Sequence, residues 1–153
     1  MSCEEYDQII RTPSKGDNAR RMALQALIKD GCLASLYNHA QASSRMDWIR
    51  NYSLLALTKF ATINTISDEV AITLQNDEIS LNIDLDRNQL KKKAANLLFL
   101  FLTIPKKPRK YKKIALMGLI AGGYWDYCDE LERDPEIEEW IKKSIQAAKK
   151  VKK

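Results

Sequence analysis

Apolar residues recur every three or four positions through most of the chain, the spacing that places them on one face of an α-helix. "SCEEYDQII" forms a short first helix that Pro13 closes. Met22, Ala23, Ala26 and Leu27 share a face of the next, with Asp17 or Asn18 as its cap and Gly31 as a left-handed stop. Leu33, Leu36 and Tyr37 follow at helical spacing. Met46, Ile49, Ala56, Phe60 and Ile63 then stripe a longer helix capped by Ser44, with Asp47 three residues on.

The period changes at "EVAITLQNDEISLNIDLD", where Val70, Ile72 and Leu74, then Ile79, Leu81, Ile83 and Leu85, alternate with smaller or polar residues. Two arms of period two about Asn76-Asp77 predict a β-hairpin. Asp86 and Gln89 open a helix that ends before Pro105. "KIALMGLIA" gives another helix, broken at Gly122-Gly123, and "YWDYCDELERD" a short aromatic-acidic one. "DPEIEEWIKKSIQAAKK" has Asp134 as cap, Pro135 in the first turn and acids where the helix dipole favours them. Trp140 lies on its apolar stripe. No internal repeat of fixed period is evident. The expectation is one mainly α domain over residues 1–153, a compact bundle of six to eight helices with one hairpin inserted at about residues 69–85. Residues 146–153 read as a basic tail able to fray.

Composition adds compartment. The 153 residues are 45% hydrophobic and 29% charged, an ordinary globular balance. The longest apolar run, "AANLLFLFLTI", is too short to span a membrane. The N-terminus lacks the long apolar run of a secretory signal. Cys3, Cys32 and Cys128 are odd in number and fit no metal-ligand spacing, so the sequence reads as intracellular, cytoplasmic, with reduced thiols.

Charge changes the picture more. Residues 87–113 carry ten basic and no acidic groups, and residues 114–139 carry one basic and eight acidic ones. The first block holds Lys91, Lys92 and Lys93, then Lys106, Lys107, Arg109, Lys110, Lys112 and Lys113 around Tyr111. With Pro105 and Pro108 stiffening it, "IPKKPRKYKK" is expected to be an extended loop that lays cations along phosphates and stacks Tyr111 on a base. The bland alternative is a solvated basic face. Tyr124, Trp125 and Tyr127 mark a candidate interface.

No chemical motif is present. His39 is the only histidine and is expected at the surface or a cap. No phosphate-binding glycine loop, nucleophile elbow or metalloprotease signature occurs. Asp126, Asp129 and Glu130 are close in sequence, but clustered acids on a helix are usually solvated. Neither a cofactor nor a metal is asked for, and nothing requires an enzyme. The functional expectation is a non-enzymatic nucleic-acid-binding accessory protein, single-stranded nucleic acid and RNA in particular favoured, with self-assembly compatible. The alternative is a protein–protein adaptor or assembly subunit using residues 124–139.

Overall fold

The computed structural model describes residues 1–62 and 87–152. Eight α-helices lie within them: α1 (Cys3–Arg11), α2 (Asp17–Lys29), α3 (Leu33–Gln41), α4 (Asp47–Ala61), α5 (Arg87–Thr103), α6 (Arg109–Ala121), α7 (Trp125–Arg133) and α8 (Glu139–Lys152). A 3₁₀ turn, Pro13–Lys15, separates the first two. The mainly helical expectation holds. The hairpin expected at residues 69–85 lies outside the described residues, among which there is no strand.

The helices pair into four hairpins, each closed by a five-residue connection: residues 12–16, 42–46, 104–108 and 134–138. The second helices begin at residues 17, 47, 109 and 139, at intervals of 30, 62 and 30. A repeat therefore exists, contrary to the reading of the sequence. The extra length of the middle interval is shared between the longer helices α4 and α5 and residues 63–86, which lie outside the described ones.

The same bond closes three of the hairpins. The last carbonyls of a helix lack intrahelical donors. Here a buried cation, four residues into the following helix, supplies one from ten residues downstream. Arg20 Nε donates to the Ile10 carbonyl at 2.9 Å, Arg50 Nε to Ala40 at 3.1 Å, and Lys112 Nζ to Leu102 at 3.2 Å. All three cations are at most 6% exposed. A charged donor in a dry turn is costly to remove, because the carbonyl it served is then stranded.

The turns between hairpins also recur. Gly31 and Gly123 adopt φ of 70° and 76°. After α2, the amide of Cys32 donates to Leu27 at 2.9 Å and that of Gly31 to Ile28 at 3.1 Å. After α6, Tyr124 donates to Leu119 at 2.9 Å and Gly123 to Ile120 at 3.1 Å. Both are Schellman stops, which a glycine enters without a Cβ penalty.

Substantial contacts join each hairpin to the next. First helices pack α1 on α3 and α3 on α5; second helices pack α2 on α4, α4 on α6 and α6 on α8. This nearest-neighbour stacking is the arrangement of an α-solenoid. The core runs along it, and α4 is its centre, with ten of fifteen residues buried. Gly118 allows α6 to approach α4 and α5. A Cβ there would meet Leu98 Cδ1 at 2.9 Å and Thr58 Cγ2 at 3.0 Å.

Several boundaries differ from those expected. Ser2 caps α1, in a capping box with Glu5. Neither Asp17 nor Asn18 caps α2, which Gly16 precedes. Met46 stands at the cap of α4 instead of Ser44. Helix α8 begins five residues after Asp134, whose carboxylate accepts from the Glu136 amide at 2.9 Å in a separate turn. The basic end stays helical to Lys152. The cysteines are not all reduced: Cys3 and Cys32 form a disulfide across 29 residues, and Cys128 is the buried free thiol.

Candidate nucleic-acid interface

Half of the basic stretch, residues 109–113, is helix. Only residues 104–108 connect α5 to α6, and Arg109 already begins α6. Pro108 stands at its cap, so proline starts this helix and leaves no extended loop to follow. Tyr111 is 3% exposed, donates its hydroxyl to Asp47, and lies under the Arg50 guanidinium at 4.3 Å. It has no free face for a base, which corrects its expected role. Lys112 is 1% exposed and paired with Glu138 at 2.8 Å, so it does not face solvent phosphates either.

The other expected cations divide. Lys107 donates to the Gln41 carbonyl, and burial, then the neighbouring Arg50 charge, pulls its ammonium below the usual range. Lys110 pairs with Asp47 at 2.6 Å. That bond holds the Asp47 carboxyl low, and Tyr111 adds to the effect. Arg109 lies 4.7 Å over the Trp140 ring. Lys92, Lys93, Lys106 and Lys113 are exposed, and Lys91 is half-buried.

Helices α5 and α6 run antiparallel. Lys112 reaches the Leu102 carbonyl at one end, and the Tyr124 hydroxyl lies 3.4 Å from the Lys91 carbonyl at the other. Lys91 to Lys93 are therefore separated from the Lys106–Lys113 cluster by the length of the helix pair. The pair does not join them into one patch.

Tyr124, Trp125 and Tyr127 are half-buried and satisfied within the chain. Tyr124 donates to the Ala61 carbonyl at 2.7 Å, and burial pushes its phenol up to about 12. Tyr127 stacks on Phe99 at 4.8 Å and donates to Asn96. Lys152 lies 4.6 Å over Trp125. Two of the four acidic residues of α7 serve one of the chain's own bases: Lys149 bonds both Asp129 and Glu132.

A different surface emerges from the repeat. Positions 2, 5, 9 and 13 of each second helix share one side of that helix, and successive second helices are in contact. They read Asn18, Arg21, Gln25, Lys29 on α2, and Trp48, Asn51, Leu55, Lys59 on α4. On α6 they read Lys110, Lys113, Met117, Ala121, and on α8 Trp140, Lys143, Ala147, Val151. None of the sixteen is buried, six are Lys or Arg, and none is acidic. Arg21 lies 5.3 Å over Trp48, so each tryptophan of this face carries a guanidinium from the preceding hairpin.

Charge follows the same division. The second helices hold fourteen Lys or Arg against three Asp or Glu. The first helices hold six against seven, with four of the six on α5. Sequence reasoning missed Arg21, Lys29, Lys59, Lys143 and Trp48 as one surface. The signal was the 30-residue spacing, which no single segment displays.

A second polar cluster was also hidden. His39 is 1% exposed, not at the surface. Its Nε2 is 2.8 Å from Asp7 Oδ1, and Arg45 Nε donates to its Nδ1 at 3.1 Å. Ser35 donates to the other Asp7 oxygen at 2.9 Å. Because Nδ1 accepts, the ring is neutral with its proton on Nε2, donated to Asp7. Burial holds the imidazole pKa below its usual range. Ser35 bonds the acid and not the imidazole, so this is no nucleophilic triad.

No family model matches the chain, and no curated protein or solved structure is found to be similar to it. No helix among the described residues is long and apolar enough to cross a membrane.

Proposed function

We propose that this is a non-enzymatic helical-repeat protein that binds nucleic acid, single strands and RNA in particular, along the outward face of its second helices. The observation that carries the reading is the set of sixteen positions with six cations and no acidic residue among them, Lys110 being paired with the neighbouring Asp47. Stacked helix pairs present extended surfaces suited to a chain-like ligand. A phosphate backbone is such a ligand, and each cation that contacts it releases counterions. Trp48 and Trp140, packed against the core, hold the Arg21 and Arg109 guanidinium groups over their rings at this face. Lys106 and Arg109 extend the face at the start of α6, while Lys91, Lys92 and Lys93 form a separate end.

The test is a titration of a labelled single strand at several salt concentrations. Four phosphate contacts predict a log–log slope of about −3. Replacing Lys113 and Lys143 by serine is expected to reduce that slope by about 1.4 units, and replacing Lys92 and Lys93 to leave it unchanged. Absence of binding at low salt would overturn the reading.

The adaptor alternative has its own support. Leu55, Met117 and Ala147 share one row across the same face, and Met117 is 42% exposed. An acidic amphipathic peptide would fit cations flanking an apolar row. Affinity for such a peptide, with no binding of the strand, would favour it.

A further inference from the structure

The disulfide lies in an open cleft and independently of the second-helix face. The cleft has a volume of about 400 Å³, and its lining includes Cys3, Cys32, Leu33, Ser35, Lys93 and Leu97. Its lining is mostly apolar, apart from the Lys93 amine and a few polar groups. Cys3 is exposed and is the first residue of α1; Cys32 is 7% exposed and sits at the cap of α3. We propose that Cys3–Cys32 is a thiol-exchange site whose partner is a small carboxylate-bearing thiol, held in this cleft beside Lys93.

The chemistry follows from where each sulfur sits. Exchange needs an accessible sulfur for attack and a stable thiolate to leave. Access favours Cys3. The leaving position favours Cys32, because no side chain caps α3 and its first turn carries no acid. A thiolate at that cap faces unsatisfied helix amides, which stabilise it. At Cys3 the first turn of α1 already holds Glu4 and Glu5, which oppose a thiolate.

The incoming thiolate sulfur attacks Cys3 Sγ. A new S–S bond forms, the Cys3–Cys32 bond breaks, and the electron pair leaves on Cys32 Sγ. The step reverses when Cys32 attacks Cys3 and expels the small thiol. It completes when a second small thiolate attacks the first, releasing the small disulfide and leaving a protein dithiol. Two thiols are oxidised as one protein disulfide is reduced. Helix α1 does not depend on the link alone, since Ile10 is fully buried, Arg20 holds its carbonyl, and Asp7 bonds His39 and Ser35.

The experiment incubates the intact protein in glutathione buffers of graded ratio, quenches with acid, and maps the adducts by mass spectrometry. The expected intermediate carries one glutathione on Cys3. Cys128 is the internal control, being fully buried with a thiol pushed up to about 11, and stays unmodified. Lys93→Gln is expected to slow exchange with glutathione about threefold at low salt and to leave exchange with the neutral 2-mercaptoethanol unchanged. Cys32→Ser, checked for helicity, is expected to accumulate the Cys3 adduct. Passage straight from disulfide to dithiol at every ratio, or glutathione on Cys32, would overturn the proposal, and the wild-type measurement decides this whether or not the variant folds. Equal slowing of both thiols by Lys93→Gln would remove Lys93 from the site.

Discussion

The half built from α1 to α4 and the half built from α5 to α8 align in register along the chain at a shift of 92 residues, yet their side chains diverge. Gly31 and Gly123 turn the chain through the same two amide bonds. Arg20 and Lys112 hold the same carbonyl of the preceding helix. The next residue along each turn differs in kind. Cys32 is joined covalently back to α1, whereas Tyr124 reaches back to the end of α4 with a hydroxyl. His39, wired to Asp7 and Arg45, corresponds to the apolar Leu131. The contrast separates what the two halves share, a left-handed turn and a donor for the stranded carbonyl, from what each hairpin is free to change.

The most severe way to break this correspondence is to remove the donor. Arg20→Ala is expected to cost about 2–3 kcal/mol in urea unfolding, since a buried carbonyl loses a charged partner. Lys112→Ala is expected to cost a similar amount, because the Leu102 carbonyl is stranded in the same way and Glu138 loses its partner. A cost near zero for both would mean that the turn bond is incidental.

Gly118→Ala comes next, at about 1–3 kcal/mol, because the added methyl meets Leu98 and Thr58 in a packed seam. Ala26, Ala56 and Ala148 occupy the same register elsewhere, so the penalty is specific to this approach. The shift in urea midpoint measures it.

His39 sharpens the comparison through pH. Its folded pKa lies below the ordinary value of 6.5, so the unfolded chain binds the proton first as pH falls. Its contribution is full above about 6.5 and is lost as pH drops through the depressed folded value, with a slope of at most about 1.4 kcal/mol per unit. His39→Asn is expected to flatten that part of the stability–pH curve; an unchanged curve would place the sensitivity elsewhere. Tyr124→Phe is the mildest change, at about 1 kcal/mol, for one hydroxyl bond to a backbone carbonyl. Thermal melting at fixed pH resolves it.

Helix type was legible in the sequence because the 3.6-residue period is written locally in stripes such as Leu33, Leu36 and Tyr37. Glycine stops were legible for the same reason. The repeat was not, because it is carried by Arg20, Arg50 and Lys112, of two residue types, and by connections of equal length but unlike composition. The unequal middle interval hides it further. Tyr111 was misplaced because an aromatic among cations looks exposed until Arg50 and Asp47 arrive from α4. Likewise the Cys3–Cys32 pairing and the Asp7–His39 bond join residues that only hairpin stacking makes adjacent.

Helix α4 touches α2, α3, α5 and α6, so it holds both halves at once. In a one-dimensional stack, the end hairpins have a neighbour on one side only and open at a lower free energy than the middle. Amide exchange is therefore expected to be fastest in α1 and α8 and slowest in α4. For α4 there is no partial opening that spares the rest: when its amides meet water, the molecule has already come apart into two unsupported ends.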